Sequence, residues 1–279
     1  MISKNTFLAA KETYVNSDIV IFGCPLDTST SFRPGTRFGP DSIRSASEGL
    51  ETYSPILNLG LEEINFCDIG NLQIGQGNSE LAISEIYKKS KQIYTDKKIP
   101  FALGGEHLIT LGLVNAASEF FPDLRVIHLD AHADLRTSYE GTNLSHACVM
   151  SNVEVKIGTK KISHFGIRSG TSSEWRKLKE NKNLFPLDIK TMGNFISELS
   201  DSPIYLTLDL DVLNPSELCG TGCPEPGGIS FTDLNQIFTF FDRLNVVGLD
   251  VVELSPMLDQ SGLSSIVAAK VVRELLLTL

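Results

Sequence analysis

The chain has 279 residues, is 42% hydrophobic and carries a formal net charge of −10. That length suits a single α/β domain with a sizeable core, and the acidic balance argues against nucleic acid, whose binding needs clustered Lys and Arg. No apolar run approaches the roughly 20 residues that span a bilayer, and the opening Met1-Ile2-Ser3-Lys4-Asn5-Thr6 lacks a secretory layout. A cytoplasmic protein with no membrane partner is therefore expected. The acidic charge also suits long-range steering of a cationic substrate. The cysteines Cys24, Cys67, Cys148, Cys219 and Cys223 are scattered, as thiols in a reducing compartment would be. Cys219 and Cys223 lack the second pair or nearby histidine of a zinc site and read as structural.

In chain order, apolar β-branched runs predict strands at Asp18–Phe22 and Ile64–Cys67. A helix follows over Glu80–Tyr94, with Ile83, Ile86, Tyr87, Ile93 and Tyr94 on one stripe and Lys88, Lys89 and Lys91 facing water. Strands are then predicted at Phe101–Leu103, Arg125–Leu129, Ile162–Ile167 and Ile204–Leu208, with a weaker one at Phe185–Leu187. Phe231–Phe241 places Leu234, Ile237, Phe238 and Phe241 on one helical face, with Ser230 as its cap and Asp233 favouring the same end. A strand at Val246–Val252 and an apolar-rich helix at Ser264–Leu277 complete the series. Continuously apolar strands read as buried on both faces, hence parallel. The alternation predicts a three-layer αβα sandwich around a mainly parallel sheet of about eight strands. No linker, composition shift or repeat divides it, so residues 1–279 are expected to form one domain. Ligands in such folds bind at the carboxyl ends of the strands.

Three of those ends carry unusual residues: Gly104-Gly105-Glu106-His107, Asp130-Ala131-His132-Ala133-Asp134 and Asp209-Leu210-Asp211. Along an extended chain, side chains two apart share a face, so Asp130, His132 and Asp134 can converge, as can Asp209 and Asp211. Two like charges about 4 Å apart repel by about 4 kcal/mol at an effective dielectric of 20. Several such pairs would approach the whole stability of a domain, about 5–15 kcal/mol. Either the carboxylates point apart or cations neutralise them, and two divalent ions would balance four aspartates. Alone, each motif is more often a cap or a solvated strand end. Together, each after a buried-type strand, they point to metal.

These three segments resemble the metal signatures of the arginase/agmatinase amidinohydrolases (ureohydrolases). Further segments resemble the agmatinase branch in the same order: Pro34–Pro40, Ser145-His146-Ala147, Gly166–Gly170, Thr221–Gly228 and Val252–Pro256. The resemblance implies that His107, Asp130, Asp134 and Asp209 hold one metal and Asp130, His132, Asp209 and Asp211 the other. It implies two Mn²⁺ per chain, in keeping with an oxygen-rich ligand set. A hydroxide bridging the metals would attack the guanidinium carbon of a small cationic guanidino substrate. Glu253 matches the family carboxylate that grips the guanidinium, and His146 the family proton shuttle. The implied reaction is hydrolysis of agmatine to putrescine and urea, with an arginase or a guanidino-acid hydrolase as the alternative and a zinc deacetylase further off. Trimers or hexamers are the family's assemblies.

Other polar residues read more plainly. His128, inside an apolar strand, and His164 are taken as core histidines. Glu106 is either an orienting group beside His107 or a helix-start carboxylate, and Glu225 either nears the site or lies on a rigid loop. Within Leu135–Ser145, donors (Arg136, Thr137, Ser138, Asn143) and acceptors (Tyr139, Glu140) are both available to a substrate tail.

Overall fold

The computed structural model describes residues 5–199 and 201–279. Within them each apolar run named above meets a strand. The strands are β1 (Ile19–Cys24), β2 (Tyr53–Ser54), β3 (Leu59–Gly60), β4 (Phe66–Asn71), β5 (Ile99–Gly104), β6 (Arg125–Leu129), β7 (Ile162–Phe165), β8 (Leu184–Phe185), β9 (Pro203–Asp209) and β10 (Asn245–Val252). The α-helices are α1 (Gly39–Ser47), α2 (Ser79–Thr95), α3 (Ile109–Phe120), α4 (Val149–Ile157), α5 (Ser172–Asn181), α6 (Ile189–Glu198), α7 (Phe231–Phe238) and α8 (Leu263–Leu276). β2 and β3 form a small antiparallel hairpin. The remaining strands make one parallel sheet in the order β4-β1-β5-β10-β9-β6-β7-β8.

Alternation along each strand divides the core. In β1, Ile19 and Ile21 join one apolar cluster, whereas Val20, Phe22 and Cys24 join the other. β6 divides likewise, with Ile127 and Leu129 on the first face and Val126 on the second. Successive strand side chains point to opposite faces, so a sheet apolar on both sides needs helices on both. Residues of α1, α6, α7 and α8 cover the first cluster and those of α2, α3, α4 and α5 the second. The αβα sandwich is thus present as expected.

Boundaries moved for local reasons. β4 starts later than its apolar run because Leu61–Glu63 forms a 3₁₀ turn, closed by Ile64 N donating to Leu61 O at 3.2 Å. β7 stops at Phe165 because Gly166 turns the chain at φ 85°, where a side chain would be strained. α7 is shorter than expected and is followed by a 3₁₀ turn at Phe241–Arg243. Its Ser230 cap forms as expected, accepting from Asp233 N at 3.0 Å. α3 escaped the sequence reading because Ile109–Val114 is buried all round, which leaves no polar stripe to mark a helical period.

β4 also runs on through Asp68, a charge its apolar pattern did not suggest. Arg44 of α1 explains it: Nε lies 2.7 Å from Asp68 Oδ2 and Nη2 3.0 Å from Oδ1, with both side chains buried. Asp68 also accepts from Phe7 N at 2.8 Å. Removing one partner leaves an uncompensated buried charge. Arg44→Leu is expected to destabilise the fold by about 3–5 kcal/mol in urea denaturation. A loss below 1 kcal/mol would mean that Asp68 finds other partners.

Candidate metal centre

The four central strands, β5, β10, β9 and β6, are neighbours and parallel, so their carboxyl ends lie along one edge. β5 is followed by His107, β10 by Glu253, β9 ends on Asp209, and β6 is followed by Asp130. The strand order brings together what the sequence scatters. The Gly104-Gly105 pair at the end of β5 allows this packing. A Cβ on Gly105 would sit 2.2 Å from Leu26 O and 2.6 Å from Cys24 O, and the backbone there instead bonds to the end of β1 and the residues after it, with Gly105 N donating to Cys24 O at 3.1 Å and Glu106 N to Leu26 O at 2.7 Å.

The aspartate motifs converge, but not as extended chain. Asp130 Oδ1 accepts from His132 N at 2.6 Å, and Asp209 Oδ1 accepts from Asp211 N at 2.8 Å. Each leading aspartate closes a turn on the residue two ahead. Asp134 then takes a left-handed backbone (φ 52°) and Asp211 lies in a 3₁₀ turn, Leu210–Val212.

Two groups of ligand atoms result. His107 Nδ1 lies 3.0, 3.2 and 3.4 Å from Oδ2 of Asp130, Asp134 and Asp209 respectively. His132 Nδ1 lies 2.8 Å from Asp211 Oδ2 and 3.7 Å from Asp130 Oδ1. Asp130 thus offers one oxygen to each group. The His107 Nδ1 atom is buried and has no hydrogen-bond partner, although three carboxylate oxygens surround it: they are near enough but not aligned with a ring N–H. Octahedral ligands at about 2.1 Å from an ion stand about 3.0 Å from one another. The donor set fits divalent cations.

Electrostatics agree. Burial, then Asp211 and Asp130, push Asp209 well above the carboxylate range, and burial and Asp130 raise Asp211. Burial alone would raise Asp130 too, but His128, His107 and His132 bring it well below. Carboxylates that penalise one another in this way are stabilised by positive charge between them.

A cavity of about 730 Å³ opens onto the cluster, with His132, Asp134, Asp209, Asp211, His146 and Glu253 in its lining. Glu253 has a left-handed backbone (φ 68°), and its Oε1 accepts from His107 N at 2.7 Å. Burial pushes its carboxyl up to about 8. His146 Nε2 lies 3.0 Å from Ser31 Oγ, and His146 N donates to Ser29 Oγ at 2.9 Å. Glu106 accepts from that same Ser29, at 2.9 Å from both N and Oγ; it secures the loop that carries the His146 contacts and does not cap α3. Of the tail candidates, Arg136 and Tyr139 line the cavity, with the Arg136 guanidinium 4.5 Å from the Tyr139 ring centre. Tyr139 and Thr142 exchange backbone bonds around Glu140 and Gly141, a tight turn that leaves Glu140 and Asn143 exposed. Glu225 and Cys223 also line the cavity, in a segment that Arg168 fixes by donating to Glu225 O at 2.7 Å and Asp211 O at 2.6 Å.

The sequence reading missed the groups behind the ligands. His107 Nε2 lies 2.9 Å from Thr207 Oγ1, which donates to Asp250 Oδ1 at 2.6 Å. Tyr205 and Thr110 also donate to Asp250. This buried chain fixes the His107 ring so that Nδ1 faces the carboxylates. His128, read as a core histidine, is buried but bonded to Asp130.

A sequence profile described as the arginase family matches residues 17–278. The chain belongs to the arginase family. An agmatinase of Bacillus anthracis is 39% identical, covering 99% of this chain and 96% of the relative. The crystal structure of a candidate agmatinase from Clostridium difficile superposes with a TM-score of 0.93 at 44% identity, over 95% of this chain and 98% of that one. A human mitochondrial guanidino acid hydrolase is 32% identical over 94% of this chain and 78% of the relative. Two clusters of side chains close enough to hold a metal, His107 with His128 and Asp130, and Asp130 with His132 and Asp211, are in keeping with the binuclear centre typical of the arginase family. Among the described residues no helix is long and apolar enough to cross a membrane.

Proposed function

We propose that this arginase-family chain hydrolyses agmatine to putrescine and urea at a centre of two Mn²⁺ ions. The supporting observation is the cavity that opens onto two ligand groups sharing Asp130. His107, Asp130, Asp134 and Asp209 would hold one cation, and Asp130, His132, Asp209 and Asp211 the other. The oxygen-rich set suits Mn²⁺ better than zinc. When bound, two such cations supply an activated water and stabilise charge developing on the attacked carbon's substituents.

The chain's own groups do the rest. Glu253 binds and orients the guanidinium; one of its oxygens already serves His107 N, and the remaining lone pairs accept the planar fork. His146, at the cavity wall, relays a proton to the departing amine nitrogen. Ser31 and Ser29 hold that imidazole in place. A cytoplasmic location and a homo-oligomer, trimeric or hexameric, complete the reading; neither nucleic acid nor membrane enters it.

Charge on the cavity wall favours the agmatine tail. Arg33 is committed to the carbonyls of Gly222 and Thr221 and Arg136 is stacked on Tyr139, whereas Glu225 presents an acceptor for an ammonium. We expect kcat/KM for agmatine to exceed that for arginine by roughly two orders of magnitude, and 4-guanidinobutyrate to be poorer than agmatine. Urea release from the three substrates with added Mn²⁺ measures this directly. Equal or reversed values would move the substrate to an amino or guanidino acid, as in the guanidino acid hydrolase relative, while leaving the ureohydrolase chemistry intact.

A further inference from the structure

Two buried histidines, His128 and His164, stand behind the ligand cluster. His128 on β6 and His164 on β7 face each other in the parallel register of these strands, and neither is exposed. His128 Nδ1 lies 2.9 Å from His164 Nδ1, and His128 Nε2 lies 2.8 Å from Asp130 Oδ2. The rings of His107 and His128 are 5.2 Å apart at their centres, so the pair is continuous with the cluster.

Proton counting assigns the roles. Burial keeps His164 neutral, with a single N–H. Suppose His128 gave its only proton to His164. Its bare Nε2 would then face a carboxylate oxygen, lone pair against lone pair. The His164 proton would sit on Nε2, a buried atom without a hydrogen-bond partner. A doubly protonated His128 strands the same proton. The opposite arrangement leaves no buried N–H unmade: His164 Nδ1–H donates to His128 Nδ1, and His128 Nε2–H donates to Asp130 Oδ2. What remains is one bare acceptor, which is better tolerated than an orphaned donor.

We propose that His128 and His164 are positioning residues of the metal centre: His164 selects the tautomer of His128, and His128 pins the carboxylate that the two ligand groups share. The inference rests on the ligand assignment made under the proposed function. With Oδ2 held by His128 and Oδ1 by His132 N, the Asp130 carboxylate cannot turn about its Cβ–Cγ bond. Both oxygens stay aimed, one at each group. Partners of this kind behind a ligand are typically worth roughly 10–100-fold in metal affinity.

The test is Mn²⁺ titration of the whole chain by calorimetry, alongside steady-state kinetics at saturating Mn²⁺. His128→Phe is expected to weaken Mn²⁺ binding by roughly 10–100-fold, and His164→Phe to weaken it in the same direction by less. KM for agmatine should be unchanged in both. His128→Gln retains a donor near the Nε2 position and His164→Asn one near Nδ1, so both should recover affinity to within a few-fold of wild type. If all four variants bind Mn²⁺ as wild type does, whatever their melting temperatures, the pair serves packing alone and the inference fails. Equal weakening in all four would overturn the donor argument as well. A wild-type chain that binds no pair of Mn²⁺ ions instead overturns the ligand assignment, and this inference with it.

Discussion

Asp130→Ala is expected to lose Mn²⁺ from both sites, not one. Its Oδ2 belongs to the His107 group and its Oδ1 to the His132–Asp211 group, so one truncation removes a ligand from each. It also leaves the remaining carboxylates without the cations that offset their mutual repulsion. With the cations gone, the activated water they would supply is lost, and urea release should fall by roughly 10³-fold or more. Asp211→Ala touches only the second group and should leave about one tightly held ion. Elemental analysis of the Mn²⁺-loaded proteins separates these outcomes. A wild-type chain holding a single ion, or an Asp130→Ala variant that keeps full occupancy, would end the two-cation reading.

His146→Ala should behave in the opposite way. The variant is expected to keep both cations and its fold while losing roughly 10²–10⁴-fold in rate, because His146 contacts Ser31 and Ser29 and no ligand. Burial holds His146 below its ordinary value against the pull of Asp134. The step in the rate–pH profile that depends on this imidazole should therefore lie on the acid side of about 6.5, and should be missing from the variant. An unchanged rate across neutral pH would exclude His146 from proton transfer.

How far the sequence could be read depended on contrast. Asp130, Asp134, Asp209 and Asp211 stood out because acidic residues interrupt buried-type strand ends, and the same contrast located β6, β9 and β10. The reason given for their convergence was nonetheless incomplete: side chains two apart in extended chain was the expectation, whereas Asx turns on His132 N and Asp211 N do the aiming. Asp250 and Thr207 were hidden because a polar residue inside a strand has no visible partner until neighbouring strands are aligned. His128 and His164 were hidden for the same reason, since their contact exists only in the register of β6 against β7. The loop Leu135–Ser145 was expected to contact a substrate tail; Arg136 and Tyr139 of it line the cavity, and which of its residues face inward depends on the tight turn at Glu140-Gly141.

The strand order has a consequence for how the molecule is made. β9 and β10 are the last strands in the chain, yet they lie between β5 and β6 at the centre of the sheet. Until they arrive, β5 and β6 each present an unpaired edge of backbone donors and acceptors, and such edges invite pairing with other chains. His107 and Asp130 likewise remain apart from Asp209 and Glu253 until that late insertion. Contacts so distant in sequence form slowly. The metal site draws on all four central strands, so it is complete only once β9 and β10 are in place, and cations held there stabilise the chain with its sheet assembled.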